Sequence, residues 1–316
     1  MEIKDYQAGD EKAILHLFEL AFGKPMREQY WRWRFEQNPE GRYYIKLMWE
    51  KDLLVGHYAV SPCSFVVDGE IMQGALSMTT MTHPDYNGKG IFKILAEELY
   101  SFVAKKYDTK CVMGFPNKNS HYGFIKNLSW KDLAVIHHLV MEASCVKPCL
   151  SPMITRKETF DQSHADLLKQ ITSAFRVSLN RSVDYLNWRY QENPFNKYYI
   201  FECRDTILLG FLVVKLYPMP DGSYGVFVVE NGIVMENISL LPEFLSHIIA
   251  SFDVKISRVH TWLPLFDQRH IYYEKNGFVL GGNQTFLGVR TLDSSLRPLL
   301  TEFKNWYYSY GDSDIF

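Results

Sequence analysis

Apolar residues recur at helical spacing after Asp10, with Ile14, Leu17, Phe18 and Phe22 on one stripe, which predicts a helix over Asp10 to Phe22 stopped by Gly23-Lys24-Pro25. A second helix is expected from Met26 to Phe35. It gives way to the turn signal Asn38-Pro39-Glu40-Gly41, after which Tyr43 to Glu50 reads as a strand. Leu54 to Ser61, Ser64 to Val67 and, past Asp68-Gly69, Ile71 to Thr82 continue in the same manner, so two helices precede three or four antiparallel strands. Ile91, Leu95, Leu99 and Phe102 then mark one face of a helix over Ile91 to Lys105. Lys110 to Phe115 reads as a short buried strand that ends at Pro116.

The second half repeats this order. Tyr30, Trp33, Arg34, Asn38, Pro39, Tyr43, Tyr44 and Ile45 return as Tyr185, Trp188, Arg189, Asn193, Pro194, Tyr198, Tyr199 and Ile200 at identical internal spacing. Helical Val183 to Tyr190, strands Tyr199 to Cys203, Leu208 to Leu216 and Gly225 to Val234, helix Pro242 to Ser251 and strand Arg258 to Leu263 follow. The expectation is a duplicated α+β unit, each copy a mostly antiparallel mixed sheet flanked by helices. A linker-like passage from Ala143 to Arg156 places the boundary between a domain at 1–147 and another at 148–316.

Composition narrows the class. The chain has 316 residues, 47% of them hydrophobic and 22% charged, with a net charge of −2. That balance is globular, no apolar run reaches the length of a membrane span, and a nucleic-acid surface would need more basic charge. The N-terminal residues lack the pattern of a secretory signal, and five cysteines at irregular positions make no disulfide framework, so a reduced cytoplasm is expected. Cys145 and Cys149 have no His/Cys partners at ligand spacing, and no metal is expected.

The segment richest in chemistry is Thr82-His83-Pro84-Asp85-Tyr86-Asn87-Gly88-Lys89-Gly90-Ile91-Phe92, between a strand end and a helix start. Glycines at 88 and 90 leave backbone N–H groups uncovered, and the positive end of the following helix points at the loop. Such hydrogen bonds to a charged group contribute about 1.5–3 kcal/mol each, enough for several to hold a diphosphate without an arginine cluster. The alternative is a plain glycine turn before a helix. Taken with the strand ending in Phe115-Pro116-Asn117 and with Phe124-Ile125-Lys126-Asn127-Leu128-Ser129-Trp130, the arrangement resembles the GNAT superfamily of acyl-CoA-dependent N-acyltransferases.

That resemblance implies that Asn87, Gly88, Lys89, Gly90, Ile91 and Phe92 cradle the phosphates of an acyl-CoA co-substrate, acetyl or longer, in the family's Q/R-x-x-G-x-G/A loop. Asn87 and Phe92 depart from the usual residues. Met81 and Thr82 would present backbone groups to pantetheine, with Asn117 or Asn119 reaching its amides; a polar loop and helix cap is the competing account of the two asparagines. The family's tyrosine is missing from Ile125 to Trp130, so Tyr122 or His121 would stand in for it. The second half shows the reverse loss: Tyr273-Glu274-Lys275-Asn276-Gly277-Phe278 matches the later signature, while Val234-Met235-Glu236-Asn237-Ile238 holds no glycine loop. This copy is expected to bind no CoA and to complete the acceptor site.

The strand Ala75 to Thr82 carries no Asp or Glu, where many family members keep a general base. An acceptor amine with pKa near 8 needs no strong base, which favours an amino sugar over a lysine. His83 is the titratable group beside the loop, and a turn histidine is its alternative role. The repeated W-x-F/Y-x-x-N-P followed by Gly88-Lys89-Gly90-Ile91-Phe92 resembles N-acyltransferases acting on nucleotide-linked (dTDP- or UDP-) amino sugars in polysaccharide synthesis. The resemblance implies Glu230 and Asp267 as sugar or amine ligands and Trp262 as a stacking wall, with core packing the alternative for Trp262. Two other readings remain open here: an aminoacyl-tRNA-dependent peptidoglycan transferase, and a non-catalytic acyl-CoA-binding module. Small molecules are the expected partners, with no nucleic acid and no membrane, and a homo-oligomer is left open.

Overall fold

The computed structural model describes residues 1–118, 120–282 and 285–314. In chain order come β1 (Glu2–Asp5), α1 (Glu11–Phe22), α2 (Glu28–Phe35), β2 (Ile45–Glu50), β3 (Leu53–Val67), β4 (Glu70–Thr82), α3 (Ile91–Tyr107), β5 (Cys111–Gly114) and β6 (Lys131–Val135). There follow β7 (His138–Glu142), β8 (Ile154–Lys157), α4 (Gln162–Thr172), β9 (Val177–Leu179), α5 (Val183–Leu186), β10 (Tyr199–Arg204), β11 (Leu208–Pro218) and β12 (Tyr224–Asn231). α6 (Leu241–Ala250), β13 (Ile256–Trp262), α7 (His270–Lys275), β14 (Val279–Leu280), β15 (Phe286–Thr291) and α8 (Arg297–Leu300) complete the order. Among the described residues no helix is long and apolar enough to cross a membrane.

The chain divides into two compact units, one formed by Met1–Ala134 with Thr285–Phe303, the other by Val135–Gln284 with Lys304–Phe316. The boundary expected at 147/148 therefore falls inside the second unit. The cause is β7, which pairs antiparallel with β13 from Glu142 opposite Arg258 to His138 opposite Trp262. In turn β15, late in the chain, pairs antiparallel with β5 of the first unit. The apolar pattern of a strand of five or six residues is the same whichever sheet receives it, so sequence periodicity could not locate either crossing.

In the first unit the sheet runs β1-β2-β3-β4-β5-β15-β6. β4 and β5 are parallel, and β1–β2, β2–β3, β3–β4 and β5–β15 are antiparallel. Alternation along β3 builds two cores: Tyr58 and Val60 join Ile91, Leu95, Leu99 and Val103 of α3, while Ala59 joins Ile14, Leu17, Trp31 and Phe35 of α1 and α2. The start of α3 lies directly on β3 because Gly56 has no side chain; a Cβ there would sit 2.3 Å from Ile91. This contact fixes where the helix begins, and with it the loop before the helix.

The second unit has the sheet order β14-β7-β13-β12-β11-β10-β8, with β12 and β13 parallel. Leu241, Phe244, Leu245 and Ile248 of α6 bury against Phe201, Leu212, Val226 and Val228. Helix α4, which the apolar periodicity did not disclose, starts with a capping box between Asp161 and His164. Both units are thus mixed, mostly antiparallel sheets flanked by helices, the α+β class expected.

Candidate acyl-CoA site

Two irregularities open the first sheet near the end of β4. The first is a short parallel partnership: β4 and β5 are matched only at Ala75 with Val112 and Leu76 with Met113, after which β5 stops at Gly114 and β4 runs on to Thr82. The second is a bulge. His57 stands opposite Met81 but Ala59 opposite Met78, so Thr79 and Thr80 face the single residue Tyr58. Thr79 adopts φ 50°, a costly conformation for a β-branched residue, and His57 Nδ1 lies 2.7 Å from its carbonyl oxygen. Since a carbonyl can only accept, His57 Nδ1 carries the proton, and Nε2 is left as a buried acceptor without a partner among the described residues. Burial drives the His57 pKa down to about 4, so the ring is neutral.

Past β4 the chain makes a single tight turn, Pro84–Tyr86, and enters α3 through Gly88 and Gly90 at φ 78° and 74°. The N–H groups of Gly88, Lys89 and Gly90 have no acceptor among the described residues. Nothing lies within 4 Å of a Cβ built on either glycine, so the loop is an open shelf of donors at the positive end of a 17-residue helix. Lys89 Nζ stands 4.0 Å from the centroid of the Tyr86 ring, beside that shelf. Phe92 does not obstruct it: its ring turns inward against Tyr58 and Phe124, at centroid distances of 5.9 and 5.4 Å, and the absence of a Gly123 side chain makes room for it. A diphosphate fits this donor set, with Asn87 and Ile91 flanking it.

The other expected residues divide by what already holds them. Thr82 closes β4 opposite Gly56, and Met81 is buried with α1 and α2, so only its backbone is available to a ligand. His83 accepts from the Asp85 N–H at 3.3 Å and packs edge-on to Tyr86, which makes it the cap of the turn. Asn117 accepts from Ser120 N–H at 3.2 Å and caps the turn after β5; Asn119 lies outside the described residues. Tyr122 is 69% exposed, while His121 stacks on Phe286 and bonds Asp132 at 2.9 Å.

The three residues expected at the acceptor are all buried in the second unit and occupied there. Glu230, 2% exposed, accepts from Arg181 Nε at 2.9 Å and from the Tyr190 hydroxyl at 3.1 Å. Arg181 also holds Asp312 at 2.7 Å, and burial lifts the Asp312 carboxyl to about 6. Asp267 receives Arg269 at 2.6 Å and the Arg269 N–H at 2.9 Å. Trp262 stacks on Tyr310 at 4.4 Å. The signature tyrosine of this copy, Tyr273, is sealed in the core and accepts from Asn231 Nδ2 at 2.6 Å. Here β12 and β13 stay matched from Tyr224 with Ile256 to Val228 with Thr261, and six residues Met235–Leu240 form a tight turn in place of a glycine loop.

Sequence reasoning passed over a chain of hydroxyls beneath the opening between β4 and β5. Trp130 Nε1 donates to the Tyr100 hydroxyl at 3.0 Å, Tyr100 meets Tyr58 at 2.6 Å, and Tyr58 meets Ser77 Oγ at 2.9 Å. The available signal was a serine within the apolar run Ala75-Leu76-Ser77-Met78.

Residues 2–131 match the family described as acetyltransferase (GNAT) domain. None of the curated proteins matches the sequence. Among solved structures, a GCN5-related N-acetyltransferase from Anabaena variabilis shares the fold with a TM-score of 0.71 at 11% identity, over 92% of this chain and 72% of that one. Another from Kribbella flavida gives 0.68 at 15% identity, over 93% and 72% of the two chains. A conserved protein of unknown function from Enterococcus faecalis, described as a probable N-acyltransferase, gives 0.68 at 13%, over 92% and 73%.

Proposed function

We infer that this chain, whose residues 2–131 match the GNAT acetyltransferase domain, is an acyl-CoA-dependent N-acyltransferase. The observation that carries the reading is the shelf of uncovered N–H groups at Gly88, Lys89 and Gly90, set directly after the strand that parts from its neighbour. The CoA diphosphate would bind the shelf, and the pantetheine arm would take up the strand edge that β5 leaves unpaired beyond Leu76. The amine nitrogen attacks the thioester carbon with its lone pair and the C–N bond forms. The C–S bond then breaks, sulfur leaves with the electron pair, and the proton lost by nitrogen balances the thiolate.

β4 offers no carboxylate from Ala75 to Thr82, so the amine has to arrive neutral. For an amine of pKa near 8 this costs about 1.4 kcal/mol per pH unit below that value, whereas a lysine near 10.4 costs roughly 4–5 kcal/mol at pH 7. We therefore propose a low-pKa acceptor, and within that class a nucleotide-linked amino sugar. The narrower choice is supported by the resemblance carried by Trp33-Arg34-Phe35-Glu36-Gln37-Asn38-Pro39 and its repeat. We also propose that the chain arose by duplication and that the second unit holds no acyl-CoA, since it lacks the glycine loop and keeps its parallel strands matched.

Release of free thiol from acetyl-CoA tests the reading, measured against nucleotide-linked amino sugars, simple amino sugars, α-amino compounds and lysine peptides. Amino sugars should be acylated and lysine peptides poorly. Preference for lysine would overturn the acceptor class, and binding of acetyl-CoA without thiol release on any amine would leave a binding module.

A further inference from the structure

The hydroxyl chain from Trp130 to Ser77 has a direction. An indole N–H only donates, so Tyr100 accepts from Trp130. Tyr100 is buried, and the only acceptor among the described residues for its own hydrogen is the Tyr58 oxygen, 2.6 Å away. The reverse direction would leave that hydrogen unpaired in the core. Tyr58 must then donate to Ser77 Oγ, its other partner, at 2.9 Å. Ser77 accepts, and its own hydrogen has no acceptor among the described residues.

That hydrogen belongs to the residue after the last matched pair of β4 and β5, where the strands begin to part. The strand positions beside it carry no side chains. Gly114, next in register on β5, would place a Cβ 3.5 Å from that of Ser77, and its partner Gly288 on β15 is equally bare. The Trp130 ring lies 3.1 Å from a Cβ built on either glycine, so the two glycines seat the indole that starts the chain of donors. Ser77 itself is buried, with 7% of its surface left exposed.

We propose that Ser77 is a catalytic residue whose hydroxyl, aimed by Tyr58, Tyr100 and Trp130, donates a hydrogen bond to the thioester carbonyl oxygen of the bound acyl-CoA. This rests on the first unit being the acyl-CoA site. No proton is transferred along the chain. Its last member cannot be resupplied from an indole, and the phenols at Tyr58 and Tyr100 are held well above the ordinary range by burial. The hydroxyl stabilises the charge that gathers on the carbonyl oxygen as nitrogen attacks.

The experiment is infrared difference spectroscopy of acetyl-CoA labelled with 13C at the carbonyl, bound to wild-type protein, Ser77→Ala, Ser77→Thr and Tyr58→Phe, with acetyl-CoA affinity measured on the same samples. The carbonyl band should move to higher frequency in Ser77→Ala, stay near the wild-type position in Ser77→Thr, and broaden in Tyr58→Phe, where the hydroxyl is no longer aimed. Acetyl-CoA affinity should change less than threefold in Ser77→Ala, while kcat falls by about a hundredfold. Wild-type binding with the same band in Ser77→Ala overturns the role of Ser77 and leaves the acyl-CoA site standing. Failure of wild-type protein to bind acetyl-CoA overturns both.

Discussion

Gly90 separates two effects that a single substitution usually mixes. Its φ of 74° makes any side chain cost about 1–2 kcal/mol, yet no atom lies within 4 Å of the new Cβ. Gly90→Val should therefore lower the melting temperature modestly and abolish acetyl-CoA binding by calorimetry; unchanged affinity would show that the phosphates sit elsewhere. His57 acts on stability through protons. Its folded pKa of about 4 lies below the ordinary 6.5, so the stabilisation is complete above pH 6.5 and is lost as pH falls toward 4, where the unfolded chain takes the proton first. In urea unfolding between pH 7 and pH 5, His57→Asn should lose roughly 2 kcal/mol less than wild type. An equal loss would place the acid sensitivity in His138 and His260, which burial also lowers to about 4. The conformation of the glycine loop, with Gly88 and Gly90 at positive φ, was legible in sequence because glycine announces it. The neighbours of Glu230, Asp267 and Trp262 were not, because a side chain looks the same in sequence whatever it meets, here Arg181, Arg269 and Tyr310.

The longer strands and α1, α3 and α6 followed from periodicity, while α4 and the features that make the site did not. β4 was recognisable as a strand from Ile71 to Thr82, but the bulge at Thr79 and Thr80 and the early end of β5 are properties of pairing, which a single segment does not encode. The same holds for the pairing of β5 with β15, where two glycines face each other under one indole. Gly288→Ala presses a methyl to 3.1 Å from the Trp130 ring and should destabilise by about 1–3 kcal/mol in thermal or urea unfolding. No loss would mean that the indole slides aside at no cost, and the donor chain would then lack a fixed origin.

Each unit is assembled from distant parts of the chain. The first takes residues 285–303 and the second takes residues 304–316, after the chain has already crossed at 134/135. A fragment of residues 1–147, the natural cut by sequence, lacks β15 and leaves β5 an unpaired edge beside Trp130. It should show no cooperative melt by near-ultraviolet circular dichroism, and residues 1–134 joined by a flexible linker to 285–303 should regain one. A cooperative melt of the 1–147 fragment would show that β15 is dispensable. The threading also sets an order of events during synthesis. The donor shelf, β4 and α3 leave the ribosome early, but the strand beside β5 is made only after residues 135–284, and Asp312, which pairs with Arg181, comes later still. The nascent chain must therefore carry an unfinished sheet edge through most of its translation, a long interval in which a chaperone or a second nascent chain competes with β15 for the same hydrogen bonds.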